Sequence, residues 1–365
     1  MGEATIAAGA DAPQRWQASP LTRRRWANFR ANKRGYWSLR IFLALFIFTL
    51  FAEFIANDKP LVIYYEDRFY FPIFKKYAET EFGGVFKVEA DYKEDFVKDL
   101  IYDRGGWWLW PPIPFSYDTI DYYLPGTAPY PPSREHYLGT DNVGKDVLAS
   151  LIYGARLSFL FGLVLTFLSS IIGVCAGGIQ GYFGGKIDLF AQRFVEIWAG
   201  LPVLFILIIL ASIVESNVFW LLGILVAFSW MALVAVVRAE FLRARNFQYI
   251  DAARALGVSD PRIMVRHVLP NAMVATITFL PFILTGSITV LTSLDFLGFG
   301  LPSDSPSLGR LLAQGRANIH APWLVMTTFF TLATMLTLLI FTGEAVRDAF
   351  DPRRDPAAGP LQPKS

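Results

Sequence analysis

The residues best suited to a function in this chain lie in one segment between two apolar stretches. Charged and small side chains alternate there, at Asp251, Ala252, Ala253, Arg254, Ala255, Leu256, Gly257, Ser259 and Arg262. No nucleophile stands beside a base in this set. The chemistry that it suits is therefore a contact with another protein.

The same segment predicts two short helices that would position these side chains. The stretch 252–256 consists largely of strong helix formers, and Gly257 would end the helix because glycine takes the left-handed conformation without steric cost. Ser259 or Asp260 can cap a second helix, with Pro261 at its first position. Two helices that meet at a glycine would form a compact knob (residues 249–262) able to press into a groove on another protein. The alternative is an ordinary amphipathic loop helix.

Several chemistries find no support in the sequence. There is no Gly-x-x-x-x-Gly-Lys-Ser/Thr phosphate loop, so the chain is not expected to hydrolyse ATP. The three histidines, His136, His267 and His320, lie in three different segments, which argues against a histidine metal site. The one cysteine, Cys175, lies in an apolar stretch and is expected to be a small buried side chain. No metal or cofactor is expected on this chain.

Composition and patterning indicate a membrane protein. The 365 residues are 54% hydrophobic and 18% charged, whereas soluble proteins carry about 25% charged residues. Apolar runs reach the roughly 20 residues needed to cross a bilayer. Their few central charges argue against a proton-driven carrier. The predicted spans are 36–56, 157–180, 190–214, 218–237, 272–294 and 323–341.

Lysine and arginine predict the orientation of these spans. Basic residues concentrate in the N-terminal arm 1–35, in the loop 240–271 that holds the knob, and in the tail 345–365. With six spans these segments share one side, and the excess of basic residues identifies it as cytoplasmic. Membrane topology and anionic lipid explain the basic arm without nucleic acid.

Residues 57–156 form a long insert between the first two spans, too polar to lie in the membrane and rich in acids and aromatic rings. We expect a small α+β or irregular subdomain on the periplasmic side. One interpretation is that its surface receives a cationic peptide or a delivery protein, because rings and carboxylates bind such groups. The other is that the rings form the insert's own core or lie at the membrane interface. The candidate contact residues are Trp107, Trp108, Trp110, Asp91, Asp95 and Asp99.

Four motifs carry a resemblance to a known family. The triplet Asp251-Ala252-Ala253, followed by Gly257 and Leu269-Pro270, resembles the coupling loop of bacterial ABC importer permeases, which usually have glutamate at the first position. Three further runs resemble the dipeptide and oligopeptide branch: 136–148, 293–309 and 343–352. The insert, with the entry runs 32–39 and 56–61, resembles the YejE-type permease of the peptide importer that also admits microcin C.

The resemblance implies an all-α membrane protein of the bacterial inner membrane, with the six-helix type I ABC importer permease fold. The implied parts are the arm 1–35, helix 36–56, the periplasmic insert 57–156, the permease core 157–344 and the cytoplasmic tail 345–365. Implied partners are a second homologous permease, an ATP-binding cassette ATPase that holds ATP and Mg, and a periplasmic peptide-binding protein. The substrate would be a peptide, moved by alternating access. The alternatives are an ATP-independent secondary peptide transporter and a membrane scaffold or receptor.

Overall fold

The computed structural model describes residues 20–215 and 217–351. Parts of the predicted arm and tail, residues 1–19 and 352–365, lie outside this description. The described chain consists mainly of helices: α1 Pro20–Ala31, α2 Lys33–Leu50, α3 Ala52–Ile55, α4 Asp95–Asp103, α5 Val147–Phe183, α6 Gly185–Ala199, α7 Val203–Ile213, α8 Val218–Ser229, α9 Met231–Ala244, α10 Gln248–Ala255, α11 Asp260–Ile263, α12 Leu269–Leu297, α13 Leu308–Ala317 and α14 Pro322–Phe350.

Helix α5 organises the core. It contains 37 residues and at 1.5 Å per residue is about 55 Å long, well beyond the roughly 30 Å of a bilayer core. It begins ten residues before the predicted span at 157, because the Asp146 side chain accepts a hydrogen bond from the Ala149 N–H at 2.8 Å and caps the helix. The helix therefore extends out of the membrane on at least one side.

Glycines bring α5 and α9 into close contact. Gly173, Gly177 and Gly181 recur every fourth residue on the face of α5 that packs on α9. A Cβ atom on Gly177 would lie only 2.7 Å from the carbonyl oxygen of Val234. Small residues at this spacing let two membrane helices approach backbone to backbone.

Four helical stretches are long and apolar enough to cross a membrane among the residues that the structure describes: Val147–Phe183, Val218–Ala244, Asp260–Leu297 and Pro322–Phe350. A bent pair, Gly185–Ala199 with Val203–Leu210, gives a fifth candidate.

The predicted third span, 190–214, is not one straight helix. Its two halves meet at 62°, and the break falls at Gly200-Leu201-Pro202, where proline lacks the N–H that would continue the helix. Hydropathy averaged over this stretch does not reveal such a bend.

The predicted first span corresponds to α2 and α3. Within its 18 residues α2 carries Lys33, Arg34 and Arg40, and it is not among the four strongly apolar stretches. The six-helix count stays a prediction. Helix α2 nevertheless packs along α14 and against α5, where Phe42 meets Phe159 edge to face with ring centroids 5.0 Å apart.

The insert has a small core of its own. Three short antiparallel strands, β1 Val62–Tyr65, β2 Arg68–Tyr70 and β3 Trp107–Leu109, pair in the order β2-β1-β3. Helix α4 packs against them, burying Ile63 and Ile101. An α+β insert was predicted between the first two spans. The side of the membrane on which it lies, and the division into domains, stay predictions.

Candidate functional site

The knob has the predicted helix–glycine–helix form. Helix α10 is closed by hydrogen bonds from Leu256 N to Ala252 O, 3.0 Å, and from Val258 N to Ala253 O, 3.1 Å. Gly257 follows with φ +76°, a left-handed conformation that favours glycine. Helix α11 then begins after Ser259, whose side chain makes no capping hydrogen bond, and Pro261 lies in its first turn.

One face of the knob is open to solvent. Leu256 is 83% exposed, an unusual position for a large apolar side chain on a turn that also carries charge. The other exposed members of the predicted set surround it: Asp251, Ala252, Arg254, Ala255, Gly257, Ser259 and Arg262. Ala253 is half-buried. The sequence-predicted contact residues thus share one accessible surface.

The opposite face is anchored in the helical core. Ile250 of α10 and Ile263 of α11 are fully buried and join one apolar cluster with Tyr182 of α5 and Phe241 of α9. Burying an isoleucine side chain contributes about 1.5–3 kcal/mol. The knob is therefore held to the ends of α5 and α9 on two sides of its glycine.

A polar contact reinforces this anchor. The Tyr182 hydroxyl donates a hydrogen bond to Asp260 Oδ1 at 2.5 Å. The Arg254 guanidinium lies 5.3 Å from the centroid of the Tyr182 ring, within the range of a cation–π interaction. Arg254, one of the predicted contact residues, is thus already in contact with its own chain. A π-helical turn, Met264–Val268, then leads from α11 into α12.

Tyr182 was not predicted from the sequence to take part in this site. The only local signal is a tyrosine at the end of an apolar span, where aromatic residues are common for interfacial reasons. Its contact with the knob joins positions 78 residues apart, which no local pattern reveals.

An ion pair fixes the neighbouring helices. Arg238 of α9 donates two hydrogen bonds to the carboxylate of Asp188 on α6, at 2.5 and 2.6 Å. Two parallel N–H···O bonds are the strongest geometry for such a pair. This ion pair therefore joins α6 to α9 beside the knob.

The candidate residues of the insert are dispersed. Trp107 is 49% exposed and stacks on Tyr64 with centroids 6.1 Å apart, whereas Trp108 and Trp110 are half-buried against the insert core. Alternation along β3 explains the difference between Trp107 and Trp108, since neighbouring strand residues point to opposite faces.

The three candidate aspartates of the insert do not form one cluster either. Asp95 pairs with Lys98 at 2.8 Å, Asp91 accepts a hydrogen bond from the Lys93 N–H at 2.8 Å, and Asp99 is exposed on α4. Because the insert adjoins the start of α5 and the knob adjoins its end, these candidates belong to a different region from the knob.

Titratable side chains gather at one place in the insert. The buried His136 ring lies between two carboxylates, with Nδ1 2.8 Å from Asp146 Oδ2 and Nε2 3.1 Å from Asp121 Oδ2. No group of three or more His, Cys, Asp or Glu residues suited to a metal ion occurs within the described ranges. Cys175, expected to be buried, is exposed and lines an apolar cavity that residues of α2, α12 and α14 also border.

The chain is a multi-pass helical protein with an anchored knob between two spans, and comparison with known proteins defines its family. Residues 169–356 match the family of binding-protein-dependent transport system inner membrane components. The chain belongs to this family, the permeases of ABC importers, and has their type I fold. The resemblance predicted from the four motifs is confirmed.

Three individual permeases are similar to this chain over much of its length. The inner membrane ABC transporter permease protein YejE of Escherichia coli is 59% identical, covering 92% of this chain and 98% of its own length. The peptidoglycan transport system permease protein YejE of Agrobacterium fabrum is 55% identical, covering 94% and 96%. The oligopeptide transport system permease protein OppC of Haemophilus influenzae is 34% identical, covering 66% and 78%.

Proposed function

We propose that this chain is a permease subunit of an ATP-driven peptide importer. Its relatives bear names of oligopeptide and peptidoglycan transport, which supports oligopeptides as substrates. Microcin C-like peptides are proposed from the sequence resemblance alone. A second permease would complete the pathway, a periplasmic peptide-binding protein would deliver substrate, and a separate ATPase would hold ATP and Mg.

The observation that carries the proposal is the two-sided construction of the knob. Leu256 and Arg262 face outward, where an ATPase groove would receive them, while Ile250 and Ile263 are buried against α5 and α9. A displacement of the outer face must therefore pull on the helices. Both termini and the knob would lie in the cytoplasm, and the insert in the periplasm.

Substitution of Gly257 tests the coupling. Gly257→Val should leave the protein in the membrane but uncouple ATP hydrolysis from peptide uptake, because a β-branched residue resists positive φ. Gly105→Val is the matched control, since Gly105 has φ +74° and, like Gly257, open space around an added Cβ, but lies in the insert.

The measurement is affinity purification from native membranes, followed by assays of ATP hydrolysis on the eluate and of peptide uptake. We expect an ATPase and a second permease to co-elute, and uptake to be lost in Gly257→Val alone. Elution of the chain by itself, with uptake that persists without ATP, would instead establish a secondary transporter.

A further inference from the structure

Two of the sequence motifs, far apart in the chain, form the walls of one polar cleft. The run 136–148 supplies one wall and the run 293–309, with α13, the other. The cleft has a volume of about 400 Å³, within the range of small-ligand sites. A hydrogen bond from Gln314 Nε2 to Asp141 Oδ2, 3.3 Å, joins the two walls. The knob does not involve this region.

The first wall is a rigid turn. Buried Asp141 accepts hydrogen bonds from the N–H groups of Val143 and Lys145, both at 2.9 Å. The Trp323 indole donates to the carbonyl of the preceding Thr140 at 3.2 Å. Lys145 is thereby placed at the cleft with its backbone fixed and its ammonium group uncommitted.

The second wall is equally well ordered. Buried Asp295 accepts hydrogen bonds from Leu301 N, 2.6 Å, and Ser307 Oγ, 2.5 Å. The Arg310 guanidinium donates four hydrogen bonds to main-chain carbonyls of the loop between them. Asp304 is carried on that loop and lines the cleft.

The cleft contains polar groups that lack partners. Lys145 and Asp304 form no ion pair with any residue in 20–215 or 217–351. The Oε1 atom of Gln314 is buried and accepts no hydrogen bond from the described residues, which is unfavourable unless a donor is supplied. Apolar floor residues, Ile120 and Leu311, complete the lining. A ligand with one cationic donor and one anionic acceptor would pair with all three of these polar groups.

We propose that the cleft binds a short peptide by its charged ends, with the amino terminus at Asp304 and Gln314 Oε1 and the carboxyl terminus at Lys145. Such a ligand supplies one ammonium donor and one carboxylate acceptor joined by a short apolar body. This inference rests on the proposed function, and identifies a place where a delivered peptide is held before it enters the membrane.

Blocked peptides test the two charges separately. Four forms of trialanine are used: free, N-acetylated, C-amidated and blocked at both ends. Uptake by the complete transporter in proteoliposomes is measured for Asp304→Asn, Lys145→Gln and the wild type. For each peptide, the uptake by the variant is divided by the uptake by the wild type. Any preference of the delivery protein among the four peptides then cancels. Asp103→Asn and Lys87→Gln remove the same charges from exposed positions in the insert that do not line the cleft.

We expect Asp304→Asn to lower uptake about tenfold for peptides with a free amino terminus, the loss of one charge-assisted hydrogen bond, and to leave acetylated peptides unchanged. Lys145→Gln should do the same for free carboxyl termini only. The four peptides are also titrated onto the transporter without delivery protein, so that a form the delivery protein rejects still yields a ratio.

Two results would overturn the proposal. An equal loss for all four peptides would mean that the cleft docks the delivery protein, and no loss in either variant would mean that it binds neither. Failure of the wild-type transporter to import free trialanine with ATP would contradict the proposed function itself. Binding ratios measured without delivery protein would still decide the assignment of the cleft.

Discussion

Tyr182 connects the knob to the longest helix of the molecule. Its ring is buried in the cluster that holds Ile250 and Ile263, and its hydroxyl donates to Asp260. It therefore combines apolar anchoring with one directional bond. The hydroxyl can be removed while the ring stays in place.

Tyr182→Phe should weaken the attachment of the knob by about 1–2 kcal/mol, because a hydrogen bond to a charged but exposed carboxylate is lost. We expect peptide-stimulated ATP hydrolysis to fall severalfold in the assembled transporter. Tyr249→Phe is the control, since its hydroxyl makes only a 3.3 Å bond to Asn271 on the exposed side. Equal activity of both variants would remove Tyr182 from the coupling route.

His136 is a second residue with a defined electrostatic task. Both ring nitrogens face carboxylates, an arrangement that only the doubly protonated ring can satisfy with two donors. Burial lowers the pKa of His136, but hydrogen bonds to Asp146 and Asp121 outweigh this effect and raise it above 6.5. Since Asp146 also caps α5, the charged ring steadies the start of that helix.

The raised pKa predicts how stability depends on pH. The contribution of His136 is fully present below pH 6.5 and is lost as the pH rises through the higher pKa of the folded state. The free energy of unfolding of the wild type should exceed that of His136→Gln by about 1–3 kcal/mol at pH 6. This difference should shrink in alkaline buffer. Thermal unfolding of the purified chain between pH 6 and 9 measures it, with His320→Gln as control.

Lys93 titrates in the same pH range as His136, so the two titrations must be distinguished. Its ammonium lies 3.5 Å from the ring centroid of Phe115, which packs on His136. Burial lowers the pKa of Lys93 to about 8, against the opposing effect of nearby carboxylates. Because Lys93 also interacts with Asp121 and Asp146, the partners of His136, both proteins are compared in a Lys93→Gln background, which removes its titration. A gap that stays constant with pH would refute the charged-ring assignment.

The α5–α9 pair depends on close approach rather than on large side chains. Gly177→Leu should destabilise the protein by at least 1–3 kcal/mol, roughly the cost of overpacking, because the carbonyl of Val234 cannot retreat without unwinding α9. Ile179→Phe adds bulk on an exposed face of the same helix and serves as control. Thermal denaturation in detergent should separate the two, and similar melting temperatures would contradict the packing argument.

Local signals predicted some of these elements and could not predict others. Gly257 and Pro261 mark helix ends by their own backbone chemistry, so the knob was visible in the sequence. The early start of α5 depends on Asp146, a capping residue that hydropathy does not register. The contacts Tyr182–Asp260 and Gln314–Asp141 join residues 78 and 173 positions apart, and only the folded chain brings them together.

The number of membrane crossings decides on which sides the insert and the knob lie. Between them stand α5, the bent pair α6–α7 and α8–α9. If the bent pair crosses fully, there are three crossings and the two regions face opposite sides. If it turned back within the membrane, there would be two and the regions would face the same side. The packing favours three, because α9 runs parallel to α5, with Trp230 at Gly173 and Arg238 at Gly181.

Cysteine labelling distinguishes these arrangements. After Cys175→Ser, which removes an exposed thiol, single cysteines are placed by Tyr123→Cys and Leu256→Cys, at positions 94% and 83% exposed. An impermeant maleimide should label the first in intact spheroplasts and the second only after lysis. Labelling of both in intact spheroplasts would contradict the parallel packing of α5 and α9.

Because α5 is long and uninterrupted, a small tilt at one end of the helix produces a large displacement at the other. The start of α5 is joined to one wall of the polar cleft, and its end is packed against the knob. Over about 55 Å, a tilt of roughly 5° about the inner end would swing the outer end by nearly 5 Å, the width of an extended chain. Since α12 and α13 carry the opposite wall, such a tilt would change the width of the cleft.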